Sequence, residues 1–317
     1  MSDALKTPVI RTLLRVPPAY YVFTLLLIIL FVTRPQMLDF NVMGTFVRQV
    51  APLGVLVLGQ LLVMRVKSID LSGGGIILLV NYFISSGTFP DASPGFFVVL
   101  SLAIGTAIGF LNGWMVGRRR VSAVIVTLAV SIVLVGLVQY LASGKPPGDV
   151  PRYFNEIYNT RLGPIPSPVI FWFILTLVMS AFLGLTVFGR YVASVGENTQ
   201  AAHFSGVPVE RTVIVAHTLA GLIAGIAALV QTASIAVGSV RVGLDLPILA
   251  VAATILGGVV FGRGEGGVWG PFFGVLSFAL LFVVMTTQGV SDAGRLIAQG
   301  MIILLAAIFY GVRSSKP

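Results

Sequence analysis

Apolar segments close to the length of a bilayer crossing recur along the whole 317-residue chain, with short polar connectors between them. They fall at about 19–33, 46–64, 69–87, 95–117, 121–142, 168–188, 211–233, 244–262, 268–287 and 295–312. Crossing roughly 30 Å of hydrocarbon takes about 20 helical residues. Several segments are shorter, which reads as tilt, a local break or an imprecise boundary. Lipid cannot satisfy an exposed backbone amide, so segments this uniformly apolar are helices rather than barrel strands. The expectation is an all-α integral membrane protein with about ten transmembrane helices, residues 1–317 forming one transmembrane domain.

Charge and composition narrow the task. Hydrophobic residues make up 56% of the chain and charged residues 10%, which leaves hardly any sequence for a soluble domain. The net charge of +9 lacks the basic cluster beside an aromatic platform that nucleic-acid binding needs, and suits anionic lipid instead. With no Cys, neither disulfides nor thiolate metal sites contribute. Lys6, Arg11 and Arg15 precede the first apolar run, which no small-residue cleavage site follows, so residues 1–18 are a cytoplasmic segment before a retained span. Arg65, Lys67, the Arg118-Arg119-Arg120 triplet, Arg190, Arg211, Arg263, Arg313 and Lys316 fall on that same side. Fewer cations lie opposite or near span entrances: Arg34, Arg48, Lys145, Arg152, Arg161, Arg241 and Arg295. The bias orients both termini to the cytoplasm.

Two connectors are long. Residues 143–167 are rich in Gly and Pro and read as an irregular external loop with room for a short surface helix. Residues 189–210 face the cytoplasm. Asn198 to Ser205 can form two helical turns, with Gly196 breaking the chain before them and Gly206 and Pro208 stopping it after. This element is either an ordered inter-span loop or a surface that a protein partner grips.

Local motifs keep two readings each. At Ser68–Gly75, Asp70 and Ser72 can accept bonds from unpaired amides at a helix start, and Gly73 and Gly74 permit a close helix approach. The same residues could be a hinge beside a translocation path. Gly257 and Gly258 open a second glycine-rich turn, in which Arg263 and Glu265 could pair and Trp269 anchor the next helix; packing or the conveyance of movement would use it. Asp245 is placed to cap a late helix. Asn81, Asn112, Thr127 and Gln139 are polar positions inside spans, suited to interhelical bonds or to lining a passage.

No enzyme constellation appears. His203 and His217 lack an acidic or Cys set to complete a zinc site, Asp70 and Asp245 are far apart in sequence, and no nucleotide fingerprint is present. The chain is read as a non-catalytic bundle that binds no metal or cofactor itself.

Three stretches carry a family likeness. SIDLSGG at 68–74, GRYVASVGENTQAAHFSGV at 189–207, and the acidic, Gly-Gly and Gly-rich stretch from Leu244 to Gly274 resemble the membrane permease subunits of bacterial ABC importers of the ribose/xylose/arabinose type. That family is related more distantly to branched-chain amino-acid permeases. Order and spacing agree over roughly residues 50–312. The family usually has Gly where Ser68 stands, and Leu-Ser-Gly-Gly near 261–267. The resemblance implies an ABC importer permease bundle carrying a pentose or hexose, with nucleosides or branched-chain amino acids as the alternative and an ion-coupled carrier behind them. It implies a second permease subunit, a cytoplasmic ATPase holding ATP and Mg2+, and a periplasmic solute-binding protein. The ATPase would dock on 189–210 through Glu197, Asn198, Ala201, Ala202, Ser205 and Gly206. Asp70, Ser72, Gly73, Gly74, Asp245, Gly257 and Gly258 would serve gating or packing.

Overall fold

The computed structural model describes residues 16–259, 264, 266–291, 293–302 and 304. Among them the chain runs through α1 (Pro18–Thr33), α2 (Phe40–Arg65), α3 (Gly73–Ser85), α4 (Pro94–Gly117), α5 (Ala123–Ala142) and α6 (Arg152–Asn159). It continues through the hairpin β1 (Arg161–Leu162) and β2 (Ile165–Pro166), then α7 (Ser167–Leu185), α8 (Val187–Glu197), α9 (Thr199–Phe204) and α10 (Val209–Ile235). α11 (Leu246–Leu256) and α12 (Trp269–Thr287) follow.

The expected count of about ten crossings is corrected. Among the described residues six helices are long and apolar enough to span a membrane: α2, α4, α5, α7, α10 and α12. The predicted spans at 19–33, 69–87 and 244–262 are instead helices of 16, 13 and 11 residues. At 1.5 Å per residue these reach only about 24, 20 and 17 Å, short of the roughly 30 Å of hydrocarbon. For α3 and α11 hydropathy misleads because a short helix wrapped by protein is as apolar as one wrapped by lipid, whereas α1 is largely exposed and is simply short. α3 shows the wrapping most clearly, with only Tyr82 and Phe83 among its residues escaping full burial. Half of the predicted span at 295–312 lies outside the described residues, as do all of residues 1–15, Arg313, Lys316 and the Arg263–Glu265 pair.

α4 and α10 form the most extensive seam in the bundle. Gly105, Gly109 and Gly113 follow one another at every fourth residue of α4, which puts them on one face. A Cβ on Gly105 would sit 2.2 Å from the carbonyl oxygen of Gly221, and one on Gly109 would sit 2.4 Å from that of His217. Bare backbone therefore lies against bare backbone. Lipid gives no hydrophobic drive between helices, so such close contact, with Ser101 Oγ donating to the Gly225 carbonyl at 2.7 Å, holds the pair.

At the end of the bundle where α10 finishes, the 143–167 connector contains the surface helix α6. Its Phe154 and Tyr158 are buried, and the Tyr158 hydroxyl donates to the Arg48 carbonyl at 2.8 Å. Burial pushes the Tyr158 phenol up, against the lowering influence of a bond to Ser234 and of Arg48. The 189–210 connector lies at the opposite end, about 40 Å away along the 27 residues of α10. The Asn198–Ser205 turns form α9, while a further helix, α8, runs from the end of the predicted 168–188 span through residues 189–197 of the connector.

Candidate functional site

Two regions matter. One is a buried polar knot around the irregular connector 66–72. The other is the exposed face of α8–α9.

α2 ends where Lys67 takes a left-handed conformation (φ 61°), and the chain then passes through the protein interior to α3. Asp70, 8% exposed, accepts from the amide and hydroxyl of Ser72 at 2.8 and 2.6 Å. Asn112 Nδ2 of α4 donates to Ser72 Oγ at 2.9 Å. Ser68 Oγ lies 2.6 Å from Nε2 of the fully buried His217 on α10. His217 Nδ1 stands 3.8 Å from Asp70 Oδ2, beyond hydrogen-bond reach, and finds no bonding partner. Thr127 Oγ1 of α5 accepts the Leu71 amide at 3.0 Å and donates to the Ala123 carbonyl at 2.9 Å. The knot thereby ties the connector to α4, α5 and α10. Every buried polar group left without a partner costs about 1–3 kcal/mol, so the knot resists piecemeal rearrangement.

The predicted passage residues divide. Asn112 and Thr127 belong to the knot. Asn81 is fully buried at the far end, where Nδ2 donates to the Val237 carbonyl at 3.2 Å and Oδ1 accepts the Ser239 amide at 2.9 Å. It pins the α10–α11 connector. Gln139 alone lies on the exposed side of α5.

The packing candidates hold backbone close to backbone. A Cβ on Gly74 would sit 2.9 Å from the Gly243 carbonyl, and one on Gly257 would sit 2.1 Å from Pro271 N. Gly73 abuts Leu56, and Gly258 turns with φ 92°. Asp245 stands at the N-cap of α11, exposed, and makes no side-chain capping bond.

Asn198 caps α9, its Oδ1 accepting the amides of Gln200 and Ala201, both at 3.0 Å. Glu197, Ala201, Ser205 and Gly206 are exposed with it. Ala202 is only 4% exposed and faces the protein's own interior. Phe204 is 81% exposed beside the exposed His203. Sequence reading passed over Phe204, although a large apolar residue in a polar connector was a usable signal. It also passed over the every-fourth-residue glycines of α4 and the buried Gln60, whose Nε2 has no partner. The end that carries α9 also carries Arg65, Lys67, Arg118, Arg119, Arg120, Arg190 and Arg211. Glu210, in the first turn of α10, pairs there with Arg118 at 2.9 Å.

The fold and site thus define a multi-pass helical bundle with a polar knot close to its basic end and a short exposed helix on that end. Residues 42–307 match the family described as branched-chain amino acid transport system / permease component, and the chain belongs to that family. It is thus a transport component rather than an enzyme. The chain is 30% identical over 288 residues to the ribose import permease protein of Bacillus subtilis (strain 168), covering 90% of this chain and 89% of that one. It is 28% identical over 273 residues to the fructose import permease protein of Rhizobium meliloti (83% and 76%). It is 28% identical over 217 residues to the L-arabinose transport system permease protein of Escherichia coli (strain K12), covering 66% of each. No solved structure matches it.

Proposed function

We propose that this chain is the membrane subunit of an ABC importer that carries a monosaccharide, a pentose or hexose, into the cell. The observation that carries this reading is the near full-length likeness to the ribose import permease, with 90% of the chain covered. The fructose and arabinose permeases point to the same solute class. Two copies of the chain, or one copy and a related subunit, enclose the passage. A periplasmic protein delivers the sugar to the end that carries α6 and the 236–245 connector. Two cytoplasmic ATPases hold the ATP and Mg2+, and the chain itself binds no cofactor. We read the basic end as cytoplasmic because Lys and Arg concentrate on that side of a membrane protein, and we take both termini to be cytoplasmic on the same sequence-level charge bias.

The ATPase grips α9. Its exposed residues suit this: Ala201, Ser205 and Gly206 form a low, small-residue surface flanked by the polar Glu197 and Asn198, and Phe204 supplies an apolar anchor of the kind that dominates interfaces. Ala202, facing inward, seats α9 on the bundle. Movement of α8–α9 then rearranges the helices joined at the polar knot.

The test is uptake in liposomes by the chain reconstituted with an ABC ATPase and a periplasmic sugar-binding protein from the same organism. Accumulation of ribose, arabinose or fructose that needs ATP and the delivery protein is expected. Accumulation of leucine instead would favour the second reading, a branched-chain amino-acid permease, which the family description itself favours. Uptake driven by an ion gradient without the ATPase would overturn both.

A further inference from the structure

We infer that Gly196 is the positioning residue through which displacement of α9 reaches the transmembrane helices, because it locks the end of α8 and the end of α2 into one rigid joint. This rests on α9 being the ATPase dock. Gly196 is buried immediately before the exposed Glu197 and Asn198 that lead into α9. A Cβ on Gly196 would lie 2.2 Å from the carbonyl oxygen of Arg65, the last residue of α2, and 2.5 Å from the Cα of Gly264. Ordinary contact for a Cβ begins near 3.4 Å, so no side chain fits there. Val192 and Val195 bury the same stretch of α8. Lys67 Nζ donates to the Glu197 carbonyl at 3.5 Å, and Arg65 Nε donates to the Gly264 carbonyl at 3.4 Å.

Surfaces packed this closely transmit displacement instead of absorbing it. Beyond Arg65 the chain turns at Lys67 and enters the knot, with Ser68 on His217 and Asp70–Ser72 on Asn112. A push on α9 therefore cannot shift α8 without shifting the end of α2, and with it the connector that ties α4 to α10. A side chain at 196 would pry the joint open and let α8 move alone.

The test uses the full complex of permease, ATPase and delivery protein in liposomes, with solute taken up per ATP hydrolysed as the readout. Gly196→Val should keep the ATPase bound but lower that ratio by about two- to thirtyfold, the span that coupling substitutions give. An unchanged ratio with the ATPase bound would overturn the inference. A second arm needs no bulky residue. The chain has no Cys, so Lys67→Cys with Glu197→Cys places a unique pair across the joint for a short bismaleimide. Because Glu197 also belongs to the face the ATPase grips, the reference is the same double variant capped with N-ethylmaleimide: cross-linked and capped protein should take up solute equally if the joint moves as one body. A loss that tracks the extent of cross-linking would mean the joint slides, and would sink the proposal even if Gly196→Val fails to assemble. Failure of the docking reading looks different: ATPase binding would then be indifferent to the α9 face itself, as Phe204→Ala reports.

Discussion

Replacing Gly109 by Ala tests whether the α4–α10 seam holds the bundle by backbone contact. The new Cβ would sit 2.4 Å from the His217 carbonyl oxygen and 2.9 Å from the Cα of Gly221. Ordinary contact begins near 3.4 Å, so the two helices must part locally by about 1 Å. Forcing extra volume into a site packed this tightly costs about 1–3 kcal/mol. Gly136→Ala is the matched control, since Gly136 lies inside α5 with nothing within 4 Å of its would-be Cβ. There the substitution removes only a flexible residue from a helix, a gain of about 0.5–1 kcal/mol. Gly109→Ala shares that gain, so the two variants should differ by the packing cost alone, about 1–3 kcal/mol, which for a chain of this size is a gap in Tm of roughly 2–6 °C. Thermal unfolding of purified protein in nanodiscs, followed by the fluorescence of its three Trp residues, measures that gap. Equal Tm values for the two variants would refute the claim that backbone contact holds the seam.

Other substitutions probe the knot, the dock and the far end. Asp70→Asn keeps an oxygen that accepts from the Ser72 amide, whereas Asp70→Leu strands that amide; the Leu variant should be less stable by about 1–3 kcal/mol in the same melt. Phe204→Ala should leave the Tm of the isolated chain unchanged and weaken ATPase co-purification by at least about tenfold, as loss of an interface anchor does. Asn81→Ala strands the half-buried Ser239 amide and should speed proteolysis within residues 236–245, at a cost of up to about 1–3 kcal/mol. Arg118→Ala breaks a solvent-exposed pair and should move stability by no more than about 1 kcal/mol.

Much of the candidate site could be read from local chemistry. Asn198 caps α9 and Gly206 ends it with φ 82°, because a capping oxygen and a residue tolerant of positive φ act within a few positions of themselves. Which residues of that helix face a partner was not legible. Ala202 and Phe204 are both apolar, and only the docking of α8 against α2 and α10 turned the first inward and left the second exposed. Asn112 and Thr127 looked alike as polar residues inside spans, yet their bonds run to Ser72 and Leu71, partners 40 and 56 residues away in sequence. The glycines of α4 were visible as a repeat of four, but a repeat on one helix does not name the helix it meets.

Sequence alone determined that the chain is helical, membrane-embedded and basic at one end, since apolarity, caps, breaks and charge counts are properties of neighbouring residues. Tertiary structure alone decided that six described helices, rather than about ten, are long enough to cross. It also decided that α3 is wrapped by protein and that Ser68, Asp70, Asn112 and His217 meet in one knot. The physical reason is that apolar residues are equally suited to lipid and to a protein interior, and only the packing of distant segments determines which of the two surrounds them.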